Sequence, residues 1–333
     1  MNILKRCIVE MDHSFRVVKC FDLYPDDPYP DQLSIFPHCR IQETPTGRLF
    51  YKEMYLKGLF TLDRLGWGPD HSGIQTVPDL SGIGEAEALE LVQRLRHRYF
   101  RNGDSKVRQP AGAMIPESIK PYWLVPLQQE KDQVIKFHSP STVVAFIHVI
   151  SDWAEKKQRN IVFKVHPADP TMEVAEAVDT RIAGSPFLHL KAGNIHTLIK
   201  KSLGVAVINS GTGFESLIHG KPVAVFGDCD YKWASFPMTS DNLDDADDYF
   251  SSFSREQEMS TYCFLYHYLQ RYAFETRGKV SNQLKDRVKV ILQQTIDSYL
   301  SERDKPDPMN QGTSLNLTRR ETNHPANNPT QVR

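Results

Sequence analysis

The sequence predicts an α/β protein in two halves, the second built on a parallel sheet. Three observations predict it. Short apolar runs recur at 122–126, 161–165, 187–190, 205–209 and 222–226, with helical stretches between them. Such alternation implies parallel strands joined by crossover helices, with ligands at the carboxyl ends of the strands. A break rich in Gly, Pro and polar residues at 101–121 reads as an interdomain connection. Finally, 333 residues suffice for two domains, each with its own buried core.

In chain order, residues 1–118 mix strand-like runs at 3–9 and 15–21 with many turn formers. The run at 24–31 holds three prolines and is a loop, because proline removes backbone donors and restricts its neighbours. Leu89, Val92, Leu95 and Tyr99 give 85–100 a helical spacing with charges on the other face. In the second half, 141–156 is a helix with Ser141 as its N-cap. Further helices are expected at 174–183, 195–202 and 214–219, and two long closing helices at 254–274 and 281–300. The tail at 303–333 lacks aromatic residues, is rich in Asn, Pro, Thr and charge, and is expected to be disordered. The domains are therefore 1–118 and 122–300, followed by the tail.

With 40 basic and 41 acidic residues the formal net charge is -1, which gives no global electrostatic case for nucleic acid as a partner. No window approaches the ~18 consecutive apolar residues of a membrane span. The first ten residues carry Lys5, Arg6 and Glu10 without a long apolar core and do not read as a secretory signal. Cys7, Cys20, Cys39, Cys229 and Cys263 are scattered without a CxxC pair, which fits reduced, buried thiols in the cytoplasm. The sequon at Asn316 is then a chance match.

Two constellations carry the functional signal. Lys164-Val165-His166-Pro167 directly follows an apolar strand, so His166 stands where such sheets bind ligands. A histidine there can donate to a phosphate oxygen, with Pro167 stiffening the turn, or can be a satisfied loop histidine. In Asn209-Ser210-Gly211-Thr212-Gly213, the glycines permit a sharp turn and close approach of a ligand to the main chain. Ser210 and Thr212 add hydroxyls, and the following helix offers N–H groups and a positive dipole end. Glu215 either accepts from sugar hydroxyls or complements that dipole. This is neither a GxGxxG signature nor a P-loop, and an ordinary tight βα turn is the alternative. The segment 220–227 reads as scaffold, and 128–132 by itself as a polar loop.

Taken in order, Pro-Leu-Gln-x-x-x-Asp at 126–132, Lys-x-His-Pro at 164–167 and Asn-Ser-x-x-Gly-Phe-Glu-x-Leu-x-x-Gly-Lys-Pro-Val at 209–223 resemble the capsule polysaccharide biosynthesis family. That family includes bacterial β-Kdo transferases that build the lipid-proximal linker of capsules. The resemblance covers about 122–234. A fainter match runs from Glu53 to Asp63, followed by Gly66 and Ser72. It departs from the family at Met54 (usually Gly), Lys57 (Arg) and Gly58 (Pro).

The resemblance implies a GT-B-like fold, two Rossmann-like halves facing a cleft, with an acceptor half and a donor half. Only about fifty residues precede Glu53, so the N-terminal half is expected to be abbreviated, or the reading frame to begin late. The implied reaction is transfer of Kdo from CMP-Kdo to a lipid-linked or saccharide acceptor, without metal or other cofactor. Lys164, His166, Pro167, Ser210, Gly211, Thr212 and Gly213 would surround the donor phosphate, with Glu215 on the nucleotide and Gln128 and Asp132 on the cleft floor. Asp63 or Glu53 would act as nucleophile or base at the sugar carbon. Retention of configuration follows from the resemblance alone. Two alternatives stay open: another donor such as a UDP-hexose, and an inactive donor-fold module that binds a partner in capsule assembly. A glycolipid acceptor would place a cytoplasmic protein peripherally at the inner membrane.

Overall fold

The structure is a computed structural model that describes residues 2–15, 33–37, 47–101, 106, 109, 112, 114–166, 172–276 and 281–303. The loop expected at 24–31, Pro167 and the tail from 304 lie outside the described residues.

The chain opens with α1 (Asn2–Glu10), β1 (Ser34–Pro37), β2 (Arg48–Glu53), β3 (Leu59–Asp63) and α2 (Glu85–Leu95), which runs on into a π-helical turn at Arg96–Phe100. Then come β4 (Tyr122–Pro126), α3 (Gln133–His138), α4 (Val143–Lys157), β5 (Asn160–Lys164), α5 (Met172–Ile182) and β6 (Leu188–Leu190). They are followed by α6 (Ile195–Lys201), β7 (Gly204–Val207), α7 (Gly211–Ile218), β8 (Val223–Val225) and β9 (Phe236–Pro237). The described chain closes with α8 (Leu243–Ser252), α9 (Arg255–Tyr272), β10 (Ala273–Glu275) and α10 (Asn282–Arg303).

Six strands form one wholly parallel sheet in the order β6-β5-β4-β7-β8-β9. The alternation along β4 shows why both faces are covered. Trp123 and Val125 pack with α4, α5 and α8, through Phe146, Ile150, Val178 and Phe250. Tyr122 and Leu124 face the opposite layer, where α2, α6, α7 and α9 supply Val92, Leu198, Phe214 and Leu265. Each fully buried aliphatic or aromatic side chain contributes roughly 1.5–3 kcal/mol, so these two layers dominate the stability of the sheet. Sequence order turns back between β4 and β7, and that reversal opens a crevice at their carboxyl ends.

The other sheet is small and mixed, in the order β1-β2-β3-β10. The β2–β3 pair is antiparallel, with Lys52 opposite Thr61, and β10 adds antiparallel to β3. The small sheet thus has four described strands, beside the large one. It is also discontinuous in sequence. The chain enters the body of the second half by α2, upstream of the break at 101–121, and β10 and α10 return to the first half.

Residues 3–9 are helix, not the strand expected. Ile3, Leu4, Cys7 and Ile8 fall at helical spacing and pack on Val288 and Leu292 of α10, so tertiary contact decided a short ambiguous run. The N-cap of α4 is Thr142, whose Oγ1 accepts from the Ala145 N–H at 3.1 Å, one residue beyond the expected Ser141.

Candidate active site

A cleft of about 260 Å³ opens at the crevice between β4 and β7, with the small sheet as its opposite wall. Its floor is a side-chain lock. Gln128, just after β4, donates from Nε2 to Asn209 Oδ1 at 2.9 Å and accepts from the Asn209 N–H at 3.2 Å. Asn209 in turn donates to the carbonyls of Val134 (2.9 Å) and His138 (3.3 Å). Both residues are buried, so Gln128 fixes two strand-end loops against each other and also lines the cleft. Asp132 lines it too, while capping α3 by accepting from the Val134 N–H at 3.2 Å.

Lys164 and His166 enter from the end of β5. Burial pushes the Lys164 ammonium below its ordinary range. Burial and then the Lys164 charge likewise push His166 down, against an opposing pull from Asp132. That shift favours the neutral imidazole of His166, which carries one N–H able to donate to an oxyanion.

The Ser210–Gly213 segment differs from the turn expected. Ser210 is the N-cap, its side chain accepting from the Thr212 N–H at 3.2 Å, and α7 already begins at Gly211. The glycines serve close packing instead. A Cβ on Gly211 would lie 2.5 Å from Cδ1 of Tyr55, and one on Gly213 would collide with the Tyr231 hydroxyl. Two aromatic side chains thus lie against the first turn of the helix whose positive end lines the cleft. Glu215, one turn further and buried, also reaches the lining.

The two acidic candidates of the first half separate. Glu53 lines the cleft; its carboxylate accepts from the Gly58 N–H at 3.0 Å and stands 3.3 Å from Lys106 Nζ. Burial raises its pKa, but that hydrogen bond and the Lys106 ammonium outweigh burial, so Glu53 stays below the ordinary glutamate range and ionised. Asp63 does not reach the lining. Its Oδ1 accepts from the N–H groups of Leu65 (2.8 Å), Gly66 (3.2 Å) and Ser72 (3.0 Å), and Oδ2 accepts from the Ser72 hydroxyl. A buried carboxylate so committed anchors the 63–72 turn, and it stands apart from the cleft lining that holds Glu53.

Several lining residues were not legible beforehand. Asp230, just past β8, accepts from the Tyr55 hydroxyl at 2.6 Å and the Tyr268 hydroxyl at 2.7 Å. Burial holds its pKa up despite those two donors. Lys52, Tyr55 and Trp67 come from the small sheet and its following turn. Beside the Tyr55–Asp230 bond, Trp233 Nε1 donates to the Ile74 carbonyl at 2.9 Å, and His138 Nε2 lies 3.4 Å from Asp70 Oδ2. A strand-end position flags Asp230; nothing local flags Tyr55. Among the described residues, no group of three His, Cys, Asp or Glu side chains is placed to hold a metal ion. None of the described helices is long and apolar enough to cross a membrane.

The model of a family described as capsule polysaccharide biosynthesis protein matches residues 88–275, over half the sequence. The capsule polysaccharide modification protein LipB of Neisseria meningitidis serogroup A is 31% identical over 116 residues, covering 32% of this chain and 28% of LipB; its serogroup B counterpart matches equally. The match thus spans somewhat under a third of the length of those relatives. Among solved structures, the β-Kdo 2,7 transferase of Thermosulfurimonas dismutans KpsC overlays with a TM-score of 0.49 at 15% identity, covering 88% of this chain and 95% of that one. The β-Kdo 2,4 transferase of the same protein gives 0.41 at 15% identity, covering 75% and 79%.

Proposed function

The chain belongs to the capsule polysaccharide biosynthesis family, and from that premise we propose that it is a glycosyltransferase of capsule assembly using a nucleotide-sugar donor. The observation that carries this reading is the convergence on one cleft of His166, Lys164 and the α7 N-terminus, at the reversal point of the parallel sheet. Such a site suits a ligand with a phosphate in its middle. The positive end of α7 and the His166 N–H would hold the phosphate and stabilise charge on the departing nucleotide, a form of preorganised electrostatic catalysis. Glu215 would accept from nucleotide hydroxyls. Gln128 and Asp132 hold the loops that shape the floor.

Glu53 is the first-half carboxylate that faces the donor site. Ionised and low in basicity, it is better suited to stabilise positive charge on the sugar carbon, or to attack it, than to remove a proton. CMP-Kdo is the donor proposed, because the motifs at 126–132, 164–167 and 209–223 resemble those of β-Kdo transferases. A lipid-linked or saccharide acceptor would enter between the halves, at the cytoplasmic surface of the inner membrane.

Calorimetric titration with CMP tests the phosphate site. His166→Ala is expected to weaken CMP about tenfold or more, in line with one lost hydrogen bond to a charged group, ~1.5–3 kcal/mol. Unchanged affinity removes His166 from the site. A thermal-shift comparison separates the donors: stabilisation by UDP and not by CMP would replace Kdo with a UDP-linked sugar.

A further inference from the structure

Asp230 and Tyr231, which follow β8, brace the first turn of α7 from two sides. The Tyr231 hydroxyl donates to the carbonyl of Ser210, the N-cap residue. Asp230 works through a second ring. Its Oδ1 accepts from the Tyr55 hydroxyl at 2.6 Å, and the Tyr55 ring lies against Gly211, so close that a Cβ there would come within 2.5 Å of it. Tyr55, Asp230, Ser210 and Gly211 all line the cleft.

The two hydrogen bonds that Asp230 accepts differ in what they join. Tyr268 belongs to α9, in the body of the second half, and reaches Oδ2 at 2.7 Å from outside the cleft lining. Tyr55 belongs to the 54–58 loop between β2 and β3 of the first half. That loop is closed at its base: the Met54 N–H donates to the Leu59 carbonyl at 2.8 Å, and the Gly58 N–H to the Glu53 carboxylate at 3.0 Å. The Tyr55–Asp230 bond therefore ties the loop that adjoins Glu53 to the segment that braces α7. A carboxylate with only 4% of its surface exposed is costly when a donor is missing, so this tie is a firm one.

We propose that Asp230 is a positioning residue that couples the two halves: through Tyr55 it seats the β2–β3 loop on the first turn of α7, and a nucleotide phosphate binds with full affinity only when that loop is seated. The inference rests on reading the cleft as a nucleotide-sugar site. The seated ring keeps water from one side of the helix end, where the positive dipole acts most strongly on an anion when water is excluded. The same tie brings Glu53 to the donor side together with the loop. Coupling is reciprocal, so a bound nucleotide must in turn hold the loop down.

Calorimetric titration with CMP and with UDP, paired with hydrogen-exchange mass spectrometry, tests it on the wild type, Tyr55→Phe and Tyr268→Phe. Each variant removes one hydroxyl from the same carboxylate and keeps its ring. Tyr55→Phe is expected to bind the nucleotide about fivefold or more weakly, the lower end of couplings between sites. Without ligand, its 54–59 peptide should exchange faster than in the wild type, and saturating nucleotide should slow it again. Tyr268→Phe should lose stability in urea and keep both nucleotide affinity and the exchange of 54–59. Wild-type affinity in Tyr55→Phe, equal losses of affinity in the two variants, or fast exchange that nucleotide leaves unchanged overturns the proposal. The two readings fail differently. A wild type that binds neither CMP nor UDP removes the nucleotide reading and this inference with it, whereas nucleotide binding indifferent to Tyr55→Phe removes this inference alone.

Discussion

Gly211→Ala isolates one contact between the first-half wall and the donor side of the cleft. The added methyl would lie 2.5 Å from Cδ1 of Tyr55, whereas carbon atoms rest about 3.5–4.0 Å apart, so the ring must move by about 1 Å. The ring has little freedom to do so. It packs 5.2 Å from the Phe214 ring and 5.7 Å, edge-on, from that of Tyr231, and its hydroxyl is tied to Asp230 at 2.6 Å. Overpacking of this kind costs ~1–3 kcal/mol. Against it stands the better helix propensity of alanine, at most ~1 kcal/mol. Sterics should win, leaving a net loss of ~1–2 kcal/mol, readable as a lower urea midpoint at unchanged slope. The decisive control is Tyr55→Ala. In that background the methyl has room, and Gly211→Ala should become neutral or mildly stabilising, a coupling of over ~1 kcal/mol between the two positions. If Gly211→Ala stabilises the parent, or costs the same in both backgrounds, the reasoning from the Tyr55 contact is wrong.

Two further outcomes follow from the same structure. Asp63→Asn keeps an acceptor for the backbone N–H groups but loses the second carboxylate oxygen; it should cost ~1–3 kcal/mol in denaturant melts with CMP affinity intact. A variant of parental stability that has lost all turnover would instead restore Asp63 as a reacting group. His219 is held neutral, its pKa lowered to about 2 by burial first and then by His196, whose Nδ1 lies 3.0 Å from its Nε2. The unfolded chain takes up a proton near pH 6.5 and the folded one does not, so stability should fall as pH drops below 6.5, at a slope approaching ~1.4 kcal/mol per pH unit from this site. His219→Gln should flatten urea-derived stability between pH 6.5 and 5 by that amount, and an equal slope in the variant would exclude His219 as the source.

Legibility in the sequence followed the range of the interactions involved. The strands of the large sheet announced themselves because a strand buried on both faces is a continuous apolar run, and Ile161, Val162 and Phe163 are fully buried. His166 and Ser210 could be placed at strand ends from local order alone. Their setting could not. Tyr55 and Asp230 are 175 positions apart, and only the folded chain brings the hydroxyl of one to the carboxylate of the other. The glycines of the 209–213 segment were noticed for a lack of side chain, read as serving a sharp turn and the approach of a ligand; the two aromatic neighbours they also admit could not be foreseen. The surroundings of Asp63 were equally hidden: an acidic residue in a motif says nothing of how many backbone N–H groups surround it, and here there are three. The helix at 2–10 shows that a short apolar run with spacing 3, 4, 7, 8 deserves a helical reading when a partner such as α10 exists to cover it.

The return of β10 and α10 to the small sheet has a mechanical side. The polypeptide passes from one half to the other before α2 and back again after α9, so two covalent tethers join the halves. A body hung from a single tether can swivel freely, whereas one hung from two can rock about the line through them and resists twisting. A cut anywhere in the second half would leave the small sheet holding both ends of the break.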